Sequence, residues 1–154
     1  MLKCFIAGAK CLERERDAIV AGVNDYNLAN NHSKSRVECH SFKNFDSSIS
    51  KDGQQHLYNE FIRDDADLCV FVLDENVGGI TKEEFDVAVD TFISSGYKRP
   101  TILVFANEKR RAQNEDFEEI LQRMKDLKQY WVDYSDLENL KLRLHLELHK
   151  LYNQ

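Results

Sequence analysis

Between Asp67 and Ile93 the hydrophobic period of the chain changes from that of a strand to that of a helix. Leu68 to Leu73 is an unbroken apolar run, rich in Val and Phe and bounded by Asp67 and Asp74. Such a run reads as a strand buried on both faces. A loop with the pair Gly78-Gly79 follows. Beyond it, Phe85, Ala88, Val89, Phe92 and Ile93 recur at the spacing of a helix packed on a sheet. Thr81 and Glu84 have capping-box spacing, which predicts a helix capped by Thr81. Glu84 precedes Ala88 by four residues and so falls at the edge of the stripe, in the expected first turn.

The same alternation runs through the rest of the chain. Leu2 to Gly8 reads as the first strand, followed by a helix from Leu12 to about Leu28 that buries Ile19, Val20 and Val23. Val37 to Phe42 is the second strand, and Gln54 to Arg63 the second helix, with Leu57, Phe61 and Ile62 inward. Pro100 opens a fourth strand, Thr101 to Ala106, and a helix runs from about Glu115 to Leu127. Tyr130 to Tyr134 is a short fifth strand. A last helix, capped by Ser135 or Asp136, carries Leu137, Leu140, Leu144 and Leu148. Strand followed by helix, five times over, predicts an α/β fold with a parallel sheet between two helical layers. Right-handed crossovers then favour a flavodoxin-like three-layer sandwich with five strands in the order 2-1-3-4-5.

Composition narrows the setting. The 154 residues suit one domain with one good core. The formal net charge of −6 argues against a nucleic-acid surface, though not against a small anion held by backbone amides. No apolar run approaches membrane-spanning length. Cys4, Cys11, Cys39 and Cys69 form no CxxC pair and no zinc spacing, and three of them fall in expected strands. A reducing cytoplasm is the expected compartment. His145 and His149 are four apart on the last helix but lack an HExxH context, so no metal site is expected.

Candidate chemistry lies at the carboxyl ends of the strands, where open α/β sheets bind ligands. Gly8-Ala9 ends the first strand in small residues that allow a ligand close to the backbone. The charged turn Glu13 to Asp17 includes Arg14 and Arg16, which could reach a phosphate but read better as a solvated helix face. Phe45 and Asp46 lie in a long polar loop, where the aromatic can stack on a flat ring or anchor the loop. Glu84 is either a carboxylate at the lip of a pocket or a capping residue. The P-loop and GxGxxG patterns are both missing. So are the paired acids of a phosphate-accepting receiver domain, the hydroxyl-rich loop of flavodoxins, and a serine or cysteine triad.

The segment Ala66, Asp67, Val70 to Asp74, Thr81, Glu84 and Ala88 resembles the strand-loop-helix of the nucleoside deoxyribosyltransferase and TIR superfamily. The N-terminal FIAG with LERERDAI resembles the opening of a bacterial TIR-like domain. Two places depart from the pattern. Gly79-Ile80-Thr81 stands where eukaryotic TIR domains carry a tryptophan, and Val77-Gly78-Gly79 where deoxyribosyltransferases carry an acid. The resemblance implies that Glu84 is the catalytic glutamate and that Gly8 and Asp74 line the pocket. With Ala9, Phe45, Asp46 and Thr81 they make the expected substrate-binding set. It further implies an NAD glycohydrolase with NAD as substrate and no cofactor. Such an enzyme would be an effector of bacterial antiviral defence, releasing ADP-ribose or a cyclic form of it. Self-association that completes the pocket between protomers, and a sensor partner or fused sensor domain, are part of the same implication. A deoxyribosyltransferase-like enzyme and a non-catalytic TIR-type interaction module are the alternatives.

Overall fold

The computed structural model describes residues 1–30, 35–40, 53–110 and 114–152. Phe45 and Asp46 lie outside the described residues. The elements alternate as β1 (Leu2–Gly8), α1 (Glu13–Ala29), β2 (Val37–His40), α2 (Gly53–Asp64), β3 (Leu68–Leu73), α3 (Gly79–Ser94), β4 (Thr101–Asn107), α4 (Glu115–Asp126), β5 (Val132–Tyr134) and α5 (Leu137–Tyr152). The five strands form one parallel sheet in the order β2-β1-β3-β4-β5. This is the flavodoxin-like three-layer arrangement expected from the alternation of strand and helix.

β3 explains why the sheet needs two helical layers. All six of its residues are buried. Cys69, Phe71 and Leu73 point into a core closed by α2, α3 and α4, where they meet Ile62, Phe85, Val89, Phe117 and Ile120. Leu68, Val70 and Val72 point into a second core closed by α1 and α5, with Ile19, Val23, Leu140, Leu144 and Leu148. A strand apolar on both faces cannot face water on either. α1 and α5 meet at Gly22, where an added Cβ would lie 3.0 Å from the Lys141 carbonyl oxygen and 3.2 Å from Leu144 Cδ2. Asp136 caps α5, its Oδ1 accepting from the Asn139 amide at 2.8 Å.

Two sequence expectations need correction here. Ile93 is exposed, because a helix turns about 100° per residue and Ile93 therefore lies about 90° from the centre of the Phe85, Ala88, Val89 and Phe92 stripe. Arg16, read as part of a solvated face, is buried. Among the described residues no helix is long and apolar enough to cross a membrane, and no cluster of His, Cys, Asp or Glu is placed to hold a metal ion.

Candidate active site

The order of the sheet reverses between β1 and β3, since β1 runs on to β2 on one side and β3 to β4 on the other. A crevice opens at the carboxyl ends of strands at such a point. Here it is a cavity of about 460 Å³, within the usual range for a small-molecule site. The turn after β1 contributes Gly8, Ala9 and Lys10; the loop after β3 and the start of α3 contribute Asn76 and Gly78 to Thr81. Gln55 and Tyr58 of α2 form a side wall, and Glu84 of α3 stands on the same surface.

Thr81 does not cap α3. The cap is Gly78, in extended backbone conformation with φ −130°, and the Lys82 amide donates to the Gly78 carbonyl at 3.1 Å. Gly78 has no side chain with which to accept from the first turn, so the leading amides of α3 are left for solvent or a ligand. Anionic groups are favoured at such a helix start. The shift places Thr81 inside the helix, buried, and moves Glu84 into its second turn. Glu84 therefore does no capping, and its burial needs another explanation.

The packing of α2 against α3 supplies it. Glu84 lies at the edge of the apolar stripe opposite Ile93, and α2 covers that edge. Glu84 is 5 % exposed, whereas its neighbour Glu83 is exposed. Burial pushes the Glu84 carboxyl up to about 8 from 4.5; the neighbouring Gln55 amide, whose Nε2 donates to Asn59 Oδ1 at 3.0 Å, and the Arg16 charge offset part of the effect, and Glu83 adds to it. A carboxyl held protonated into the neutral range on the wall of a cavity is a recognised mark of a functional site. Tyr58 is also buried, and its phenol is pushed up by burial and by Glu84.

Arg16 sets the shape of the turn after β1. Its guanidinium donates to the carbonyls of Gly8 at 3.4 Å, Ala9 at 2.6 Å and Lys10 at 2.9 Å. The turn is thereby pinned with its carbonyls toward the arginine. Gly8 matters for space, because an added Cβ would lie 3.2 Å from the Val72 carbonyl oxygen. The loop after β3 is pinned in a similar way. Asp74 Oδ1 accepts from the Asn76 amide at 2.8 Å, and Oδ2 from Asn76 Nδ2 at 3.2 Å. Asn114 caps α4 and donates through Nδ2 to the Val77 carbonyl at 2.7 Å.

The structure thus brings Gly8, Ala9, Thr81 and Glu84 to one cavity. Asp74 is fully buried and stands behind the wall, holding the loop that carries Asn76. Sequence reasoning missed Arg16, Gln55 and Tyr58. The signal for Tyr58 is its spacing: Gln55, Tyr58 and Ile62 stand at i, i+3 and i+7, a helical stripe that grades from polar to apolar. No protein-family model matches this chain, and no curated protein matches it in sequence.

Proposed function

We propose that the chain is an NAD glycohydrolase in which Glu84 stabilises the positive charge that develops on the ribose. The observation that carries this reading is Glu84, the one buried carboxylate among the described residues on the wall of a ligand-sized cavity at the sheet's switch point. The resemblance of the Ala66-to-Ala88 segment to the TIR superfamily supports it. Nicotinamide in NAD is already cationic, so it leaves neutral with the bonding electron pair and needs no proton. The ribosyl carbon becomes electron-deficient, and an ionised Glu84 beside it lowers that barrier. Water, or the adenine ring of the same molecule, then bonds to the ribosyl carbon and releases a proton. The free amides at the start of α3 suit the pyrophosphate. Self-association belongs to this proposal, and a specific activity that falls on dilution is its signature.

A second reading rests on the proton that Glu84 retains. A neutral nucleoside base leaves only if it is protonated, and Glu84 with its proton on is a donor for that step. Nucleoside transfer of the deoxyribosyltransferase kind would use the residue in that form.

The test is incubation of the concentrated protein with NAD, and separately with purine and pyrimidine deoxynucleosides, followed by chromatography of the products. Nicotinamide release is expected from NAD. Glu84→Gln should lower it on the order of a hundredfold or more, the usual size for removing one preorganised electrostatic group. Glu83→Gln, altered at an exposed position, should keep most activity. Equal losses in the two variants, both folded, would remove Glu84 from the mechanism.

A further inference from the structure

We propose that Cys4 and Cys39 are a peroxide-responsive dithiol, a reversible modification site that joins edge strand β2 to β1. The two residues are direct partners in the parallel register of β1 and β2. Neighbouring strands lie about 4.8 Å apart, inside the separation at which two cysteines can be bridged. Both side chains are on the α1 and α5 face: Cys4 lies within that core and Cys39 packs against it. Cys69 is close in the sheet but belongs to the opposite core, and Cys11 is exposed in the turn before α1. The geometry therefore selects one pair among the four cysteines.

The two members differ in a way that assigns their roles. Cys39 is half-buried on the edge strand, so a small oxidant can reach it; Cys4 is fully buried behind it. The neighbouring thiol is the largest cause that lowers the Cys39 pKa and the largest that raises that of Cys4, whose Sγ donates to the Phe5 carbonyl at 3.9 Å. Access makes Cys39 the attacking thiolate and Cys4 the resolving thiol. The Cys39 sulfur attacks one oxygen of hydrogen peroxide, the O–O bond breaks, and hydroxide leaves, giving a sulfenic acid. Cys4 then loses its proton and attacks the Cys39 sulfur. The S–S bond forms, the S–O bond breaks, and the departing hydroxide takes up a proton to become water. Both sulfurs are oxidised by one equivalent of peroxide, which is reduced to two waters.

The site backs onto the cavity. His40 follows Cys39, and its ring lies 4.7 Å from Phe61 of α2. Phe5 follows Cys4 and is the register partner of His40. Its ring is 6.1 Å from Phe61 and 6.0 Å from Tyr58. A covalent link one residue below Phe5 and His40 acts on the strand pair that supports the α2 wall.

The experiment exposes the full chain, carrying Cys11→Ser, to hydrogen peroxide and maps the products by mass spectrometry of a non-reducing digest. The expected product is an intramolecular link between the Cys4 and Cys39 peptides, lighter by two hydrogens and reversed by dithiothreitol. With Cys4→Ser added, Cys39 should stop at the sulfenic acid and be captured by dimedone. Two results in the Cys11→Ser protein would overturn the proposal without recourse to any further variant. One is a dimedone adduct on Cys39 with no link to Cys4; the other is an unmodified Cys39 at peroxide levels that oxidise Cys11 in the parent chain. Neither depends on the substrate of the cavity.

Discussion

Replacing Glu84 by glutamine should make the protein more stable, and increasingly so as pH rises. The carboxyl is pushed up to about 8 in the folded chain from an ordinary 4.5. The folded state therefore holds the proton more tightly than the unfolded state across that window. Wild-type stability falls as pH rises between the two values, and it levels off above the folded one. Glutamine keeps the shape but has no proton to lose. At 1.36 kcal/mol per unit, the advantage of Glu84→Gln is about 1 kcal/mol near pH 5, about 3 kcal/mol near pH 7 and about 5 kcal/mol above pH 9. Near pH 7 this corresponds to a rise in Tm of about 6–12 °C for a chain of this size. Urea unfolding of wild type, Glu84→Gln and Glu83→Gln at three pH values measures it. Glu83 is exposed, so Glu83→Gln should lose stability with pH much as wild type does, slightly less steeply because the Glu83 charge helps raise the Glu84 pKa. An offset between Glu84→Gln and wild type that stays constant with pH, or a less stable Glu84→Gln at pH 9, would refute the reasoning.

Other outcomes follow from the same contacts. The kcat/KM for NAD should rise with pH through about 8 and then level, since the ionised carboxylate is the working form and kcat/KM reports the free protein; a fall through the same range would favour the proton-donor reading. Arg16→Met should cost about 3 kcal/mol in urea unfolding, by leaving the Gly8, Ala9 and Lys10 carbonyls without their charged donor. Arg16→Lys should recover only part of it, because a point charge cannot reproduce the planar fork. Gly22→Ala should destabilise by about 1 kcal/mol despite the better helix propensity of alanine, because its Cβ meets the backbone of α5; a gain in Tm would mean that the two helices separate without cost.

What the sequence made readable was whatever depends on period. β3 declares itself because six apolar residues in a row can be satisfied only between two layers. The strand order follows from alternation and crossover handedness. Glu84 was placed at the edge of its helix by counting from Ala88. What stayed hidden depends on contacts between distant segments. Thr81 and Glu84 have the spacing of a capping box, and nothing local reveals that Gly78 starts the helix three residues before Thr81. Arg16 sits among Glu13, Arg14, Glu15 and Asp17 and looks like one more surface charge. Only the fold brings the three carbonyls of its own preceding turn around its guanidinium. Tyr58 reaches the cavity because α2 packs on α3, a pairing that no short-range pattern encodes. The register that opposes Cys4 to Cys39 is likewise invisible before β1 and β2 are laid side by side.

The buried carboxyl also links the two chemistries proposed for the cavity. With its pKa pushed up to about 8, Glu84 is ionised in roughly one molecule in ten at pH 7 when the site is empty. Lys10 and Arg16 also line the cavity, and the Arg16 charge draws the Glu84 pKa down against the effect of burial. The charge of a ligand adds to these influences on the protonation state. A pyridinium ring entering the cavity attracts the carboxylate form and drives the proton off. A neutral nucleoside leaves the proton in place. By linkage, whatever binding free energy the cation gains from the ionised form appears as a lowered Glu84 pKa in the complex. A cationic leaving group that needs no acid thus meets a carboxylate, and a neutral leaving group that needs one meets an acid. On the two proposed readings, one residue would serve both reactions because burial holds its pKa near neutrality, within reach of the ligand's own charge.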